Sequence, residues 1–126
     1  MDKDVFDATK AAFWLHARDD NAAKLLNFLA YNINVWAAFK GFNDSPVDFP
    51  TAIALMHSEL SEALEADRKD LRDSHLPQYA GKVVELADLI IRVLHTCGQQ
   101  NWPIGEVLMA KMAFNCSRPH KHGKAY

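Results

Sequence analysis

The stretch from Val83 to Gln99 constrains the fold more than any other part of the chain. Set at about 100° per residue, Val83, Val84, Leu86, Ala87, Leu89, Ile90, Ile91, Val93, Leu94 and Cys97 cover a broad arc of a helix. The charged and larger polar residues, Glu85, Asp88, Arg92, His95 and Gln99, form one narrow stripe. A helix apolar over more than half its circumference belongs mostly inside a protein. Its stripe then faces either water or an enclosed polar site. The second case requires partners, because burying an unpaired charge is costly.

The rest of the chain reads as helix too. The five Gly and five Pro cluster at boundaries, around Gly41 to Pro50, Pro77 to Gly81, Gly98 to Pro103 and Pro119 to Gly123, and strand-like alternation is absent. The expectation is an all-α, four- to five-helix bundle forming one domain over residues 1–126. Within residues 1–20, a weaker segment from Val5 to Ala17, apolar at Phe6, Phe13 and Trp14, reads as an extra N-terminal helix. A second helix spans about Asn21 to Phe39, with Leu25, Leu29, Asn32 and Trp36 in register. The third begins at Pro50, where proline suits a first turn, and runs to about Leu71. The fourth runs from Gln78 to Gln100, and the fifth from Pro103 to Ser117. Such short connections favour antiparallel neighbours.

Bulk properties exclude several classes. Hydrophobic residues make up 49% of the chain and charged ones 24%, so a globular core is expected rather than disorder. A net charge of −2 gives no reason to expect a nucleic-acid partner. No apolar run approaches the roughly 18 residues of a membrane span. The start, Met1-Asp-Lys-Asp, lacks an apolar signal core, so a cytoplasmic location is expected. Two cysteines are too few for a disulfide framework, and Cys97 reads as a buried free thiol.

The acidic residues fall in pairs. Glu59 and Glu62 sit three apart on the third helix, as Glu85 and Asp88 do on the fourth, so each pair shares one helix side. On antiparallel neighbours, four carboxylates can point into one volume. They repel unless a cation lies among them, and hard oxygen ligands select Mg²⁺, Ca²⁺ or Mn²⁺. Glu59 lies within the arc of Ala52, Ile53, Leu55, Met56, Leu60 and Ala63, with Glu62 near its edge. The competing reading is a solvated acidic face on which Asp88 and Arg92 form a plain i,i+4 ion pair.

Near the C-terminus, Lys111, Asn115 and Arg118 follow an i,i+4,i+7 spacing and share one face, where they could grip phosphate oxygens. The alternative is a basic helix end favoured by the helix dipole. Trp36, Phe39 and Phe42 fit either a core stripe or a base-stacking surface. His57 points away from the acidic side and reads as structural. Cys116, His120 and His122 match no standard zinc spacing and lack a fourth ligand. A ferritin-like di-iron bundle is excluded because no Glu-x-x-His occurs. No phosphate-binding glycine loop or Ser/His/Asp set is present.

Taken together, Glu59-x-x-Glu62 and Glu85-x-x-Asp88 resemble the signature of the MazG-like family within the all-α NTP pyrophosphatase superfamily. The similarity runs through Ala54 to Arg68 and Val84 to Leu94, and resumes at Ala110 to Asn115 and Arg118 to Lys124, covering roughly Asn32 to Tyr126. The resemblance implies a nucleoside triphosphate pyrophosphohydrolase dependent on Mg²⁺, with Mn²⁺ as the substitute, and a homodimer or homotetramer. By the same resemblance Glu59, Glu62, Glu85 and Asp88 would be the metal ligands and catalytic carboxylates. Lys111, Asn115 and Arg118 would bind the triphosphate, with Lys121 and Lys124 as lesser candidates; of the aromatic residues above, Trp36 is the candidate for the base. The chain departs from the family at His95, where relatives often carry an acidic residue. It departs again at Asn43, at the end of Lys40-Gly-Phe-Asn43, where another aromatic is frequent. The rival functional class is a non-catalytic, oligomeric helical interaction module with an acidic metal-binding stripe.

Overall fold

The computed structural model describes residues 20–119. Among them are four helices and no strand: α1 (Asp20–Phe39), α2 (Phe49–Arg68), α3 (Gly81–Gln100) and α4 (Ile104–Ser117). The protein is all-α. The expected segment from Val5 to Ala17 lies outside the described residues. No helix among those described is long and apolar enough to cross a membrane.

Contacts divide the chain into two compact units. One is Leu29–Trp102; the described residues of the other are 20–28 and 103–119. Within the first, α2 and α3 form the dominant contact. They run antiparallel, because Asp67 pairs with Lys82 while the earlier Glu59 pairs with the later Arg92.

Local chemistry sets the ends of these helices. α2 starts where Asp48 Oδ1 accepts the Thr51 N–H at 2.9 Å, the standard N-cap arrangement, with Pro50 in the first turn. It stops at Arg68, three residues before the sequence predicted, because Asp70 turns into the left-handed region at φ 50°. α3 likewise begins three residues later than predicted. The Asp73 carboxylate takes the N–H groups of His75 and Leu76 at 2.9 and 2.6 Å, and this turn occupies the residues up to Ala80. α1 ends through Gly41, whose φ of 84° lets the Phe42 N–H return to the Ala37 carbonyl at 2.9 Å. That turn places Phe42 and Asn43 back beside α1.

The buried register of α1 differs from the predicted one. Ala23, Ala30 and Ala37 are buried, whereas Leu25, Leu29 and Trp36 are exposed. The physical reason is close approach. At Gly98 of α3, an added Cβ would lie 2.4 Å from the Ala30 carbonyl oxygen, so only small residues fit between these helices. In the other unit the same holds at Gly105, where a Cβ would lie 2.1 Å from the Ala23 carbonyl. There Asn27 of α1 caps α4: its Oδ1 accepts the Gly105 N–H at 2.9 Å and its Nδ2 donates to Glu106 at 2.8 Å.

α3 itself corrects the expectation of a mostly buried helix. Leu94, Thr96 and Cys97 are buried, but Val83, Leu86, Ile90 and Ile91 remain exposed in the single chain. Its polar stripe is the better covered side, with Glu85, Asp88, Arg92, His95 and Gln99 all half-buried. Cys97 is buried and free, as expected, and Cys116 is free and exposed.

Candidate metal centre and groove

The polar stripe of α3 and the acidic pair of α2 meet because the helices are antiparallel and in contact. Glu59, Glu85 and Asp88 each bring a carboxylate oxygen to within 4.8 Å of the other two. Glu62 is close enough to Glu59 to feel its charge but stands outside that trio, exposed at the rim of the cluster. Of the four expected ligands, three therefore share one volume and the fourth adjoins it.

Glu59 is the most enclosed of the four, only 6% exposed, as its place in the apolar arc of α2 predicted. Its partner is Arg92, whose Nε donates to Oε1 at 2.5 Å. The ion pair between Asp88 and Arg92 that the competing reading calls for is not formed. Arg92 reaches across to α2 instead, where a buried carboxylate gains more from a charged donor than a half-buried one does.

The electrostatics follow from this arrangement. Burial alone would raise Glu59, but the hydrogen bond and positive charge of Arg92 outweigh it and hold its carboxyl below the usual range. Glu62 is pushed up, first by its hydrogen bond to Glu59 and then by partial desolvation and the Glu59 charge. Glu85 and Asp88 are pushed up chiefly by burial, and next by neighbouring carboxylates. Among the described residues the cluster has one arginine, Arg92, for four acids. All of the converging atoms are carboxylate oxygens, a donor set suited to Mg²⁺ or Mn²⁺ rather than to a soft metal.

A groove of about 400 Å³ opens from this centre. Glu59, Asp88 and Arg92 line one part. Ile33, Trp36 and Ala37 from α1, Phe42 and Val47 from the connecting segment, and Leu55 and Ile91 supply an apolar wall. Further along α3, His95, Thr96 and Gln99 close the lining. Trp36 and Phe42 face each other with ring centroids 6.0 Å apart and planes tilted by 31°. They are 52% and 61% exposed, so they form a groove surface and not a core stripe. Phe39 is more exposed still, beneath Lys40. His57 is exposed on α2 and takes no part in the groove.

Asn43 is the residue that sequence reasoning placed least well. It holds His95 and Gln99 with hydrogen bonds of 2.8 Å each, and is itself fixed to Asn34 at 2.8 Å. Its partners lie 52 and 56 residues away, so no local pattern could have found them. The visible signal was the stripe containing His95 and Gln99.

The predicted phosphate-binding residues belong to the other unit. Lys111 and Asn115 lie on α4, but the helix ends at Ser117 and Arg118 is extended at ψ 151°, so it does not continue the expected helical face. Lys111 and Arg118 nonetheless gather at one ring, Phe114, with Nζ 4.9 Å and Cζ 5.8 Å from its centroid. Lys121 and Lys124, like His120 and His122, lie outside the described residues.

A scan against protein-family models returned no match, and searches of the curated proteins and of the solved structures returned none either.

Proposed function

We infer that this protein is a metal-dependent nucleoside triphosphate pyrophosphohydrolase, converting a (d)NTP and water to a (d)NMP and pyrophosphate. The observation that carries this reading is the convergence of Glu59, Glu85 and Asp88 at the edge of a groove with an aromatic wall. It is supported by the resemblance of the two acidic motifs to the MazG-like family. A solvated acidic face would scatter its carboxylates; here they crowd, and among the described residues a single arginine answers them.

In this reading Glu59, Glu85 and Asp88 hold Mg²⁺, with Mn²⁺ as the substitute, and Glu62 adjoins them as a further ligand or as the base. The bound ion supplies charge neutralisation of the phosphates and a lowered pKa for the attacking water. Glu62 suits the role of general base because it is exposed at the rim and its carboxyl is raised from its ordinary value by the neighbouring Glu59. Arg92 keeps Glu59 ionised and oriented. Lys111, Asn115 and Arg118, with Lys121 and Lys124, are by the family resemblance the candidate donors to a triphosphate. Trp36 gives the base an aromatic face.

A cytoplasmic house-cleaning role on the nucleotide pool is part of this proposal. Self-association into a homodimer or homotetramer belongs to the same proposal, since α3 leaves much of its apolar arc uncovered.

The test is a panel of standard and damaged (d)NTPs with Mg²⁺, products being separated as monophosphate plus pyrophosphate or diphosphate plus phosphate. Glu85→Gln keeps side-chain volume while deleting a charge, so the helices should stay folded while turnover falls by about 10²-fold or more. Wild-type turnover in Glu62→Gln and Glu85→Gln would rule out the metal-centred mechanism. A folded protein with no Mg²⁺ response and no triphosphate turnover would favour an interaction module instead.

A further inference from the structure

The network behind the groove carries more information than its aromatic wall. Asn43 Nδ2 donates to the Asn34 backbone carbonyl at 3.4 Å and to Asn34 Oδ1 at 2.8 Å. A backbone carbonyl only accepts, so this contact fixes which end of the Asn43 amide is nitrogen. Its Oδ1 then faces His95 Nε2 and Gln99 Nε2, each at 2.8 Å, and can only accept from both. All the usual hydrogen-bonding positions of Asn43 are therefore used by the protein.

The consequence falls on His95 and Gln99, which line the groove while Asn43 does not. His95 must carry its proton on Nε2. Burial, reinforced by the charge of Arg92, pulls its pKa down, so the ring is neutral and Nδ1 is a bare acceptor. Gln99 has committed one N–H and retains Oε1 and its second N–H. The pair thus offers the groove two acceptors and one donor, next to the Trp36 and Phe42 rings. A flat heteroaromatic ligand complements such a set when it presents an amino group beside an unprotonated ring nitrogen. Along α3, Asp88 and His95 are seven residues apart, about 10 Å of helix, which leaves space for a sugar between the carboxylates and a base.

We propose that His95 and Gln99, positioned by Asn43, read the edge of an amino-bearing nucleobase, cytosine or adenine, whose face rests against Trp36 and Phe42. The proposal rests on the nucleotide pyrophosphatase reading of the same groove. Uracil and thymine present a single N–H between two carbonyls, so one of the two acceptors meets a carbonyl; guanine carries its amino group beside N3 on the sugar side, and the edge it leaves free presents the O6 carbonyl. Such a pairing discriminates by about tenfold to a hundredfold.

The experiment uses nucleosides in the absence of metal, so that neither phosphate nor turnover enters. Binding of cytidine, adenosine, uridine and guanosine to the full chain is followed by NMR shift titration. The ¹⁵N shifts of His95 report its tautomer. The expected result is cytidine or adenosine binding at least about tenfold tighter than uridine and guanosine, with the Nε2-protonated tautomer at neutral pH. Asn43→Ala should bring the nucleosides to within about twofold of one another and mix the tautomers. Gln99→Met keeps the length of a half-buried side chain, and so serves if Asn43→Ala fails to fold; it should flatten the ranking in the same way. No nucleoside binding, no preference for amino bases, or a ranking that survives both substitutions would overturn the proposal. Hydrolysis of Mg²⁺-triphosphates is scored separately. A chain that ranks nucleosides but releases no pyrophosphate would refute the activity and leave the base site standing. One that hydrolyses every triphosphate equally, with no nucleoside ranking, would do the reverse.

Discussion

Replacing Arg92 with Gln removes the cation that sits against Glu59, and the structure sets the size of the effect. Losing one partner of a fully buried ion pair costs about 3–5 kcal/mol, whereas an exposed pair is worth about 0–1 kcal/mol. Here Glu59 is 6% exposed but the Arg92 side chain is 40% exposed, so solvent screens part of the interaction. The expected loss is about 1–3 kcal/mol. For a domain of this size roughly 4 °C of melting temperature corresponds to each kcal/mol, which gives a drop of about 4–12 °C in EDTA. The sign then reverses with metal. Without Arg92 the carboxylates have no built-in countercharge, so the ion meets less repulsion and binds more tightly. A tenfold gain in affinity would add about 1.4 kcal/mol to the stabilisation by excess Mg²⁺. Thermal melts of wild type and Arg92→Gln, at one protein concentration and across a Mg²⁺ series, read both quantities. The reasoning fails if the variant melts within about 1 °C of wild type in EDTA, or if Mg²⁺ stabilises it less than it stabilises wild type.

Other outcomes follow from the same geometry. Gly98→Ala drives a Cβ to 2.4 Å from the Ala30 carbonyl, so it should cost about 1–3 kcal/mol in chemical denaturation; an unchanged midpoint would show that the helices separate freely. Glu62, Glu85 and Asp88 are raised in the folded chain, so the folded state holds more protons than the unfolded one, and their contribution is present at acid pH and lost as pH rises through the raised values. Glu59, lowered, contributes in the opposite sense above its unfolded value and loses its contribution on acidification. His95, lowered by burial, costs stability as pH falls through the ordinary histidine range, so in metal-free melts the gain from the three raised acids should appear only below that range, and Mg²⁺ binding should release protons, measurable as a buffer-dependent calorimetric heat. Light scattering at micromolar concentration should return a multiple of the 14.2 kDa chain mass, and a monomer alone would remove self-association from the proposal.

The sequence by itself determined the helical class, the positions of α1 to α4 to within three residues, and the presence of one polar stripe on an apolar helix. These are properties of a few consecutive turns: the 3.6-residue period, the Asp48 cap, and the stops at Gly41 and Asn101 act over short separations. It also set Glu59 in the apolar arc of α2, because burial on one helix face is a local pattern. Tertiary structure decided the rest. Whether Arg92 answers Asp88, four residues away, or Glu59, 33 residues away, depends on which carboxylate is buried once α2 and α3 meet. The buried side of α1 went to Ala30 and Ala37 and not to its larger apolar residues, because the close approach at Gly98 leaves no volume for them. Asn43 stood out in the sequence only as a departure from an aromatic position, and became the hub for His95 and Gln99 only when the turn at Gly41 brought it against α3. A hydrogen bond between residues 52 apart leaves no period in a sequence, since its geometry exists only after the chain has folded.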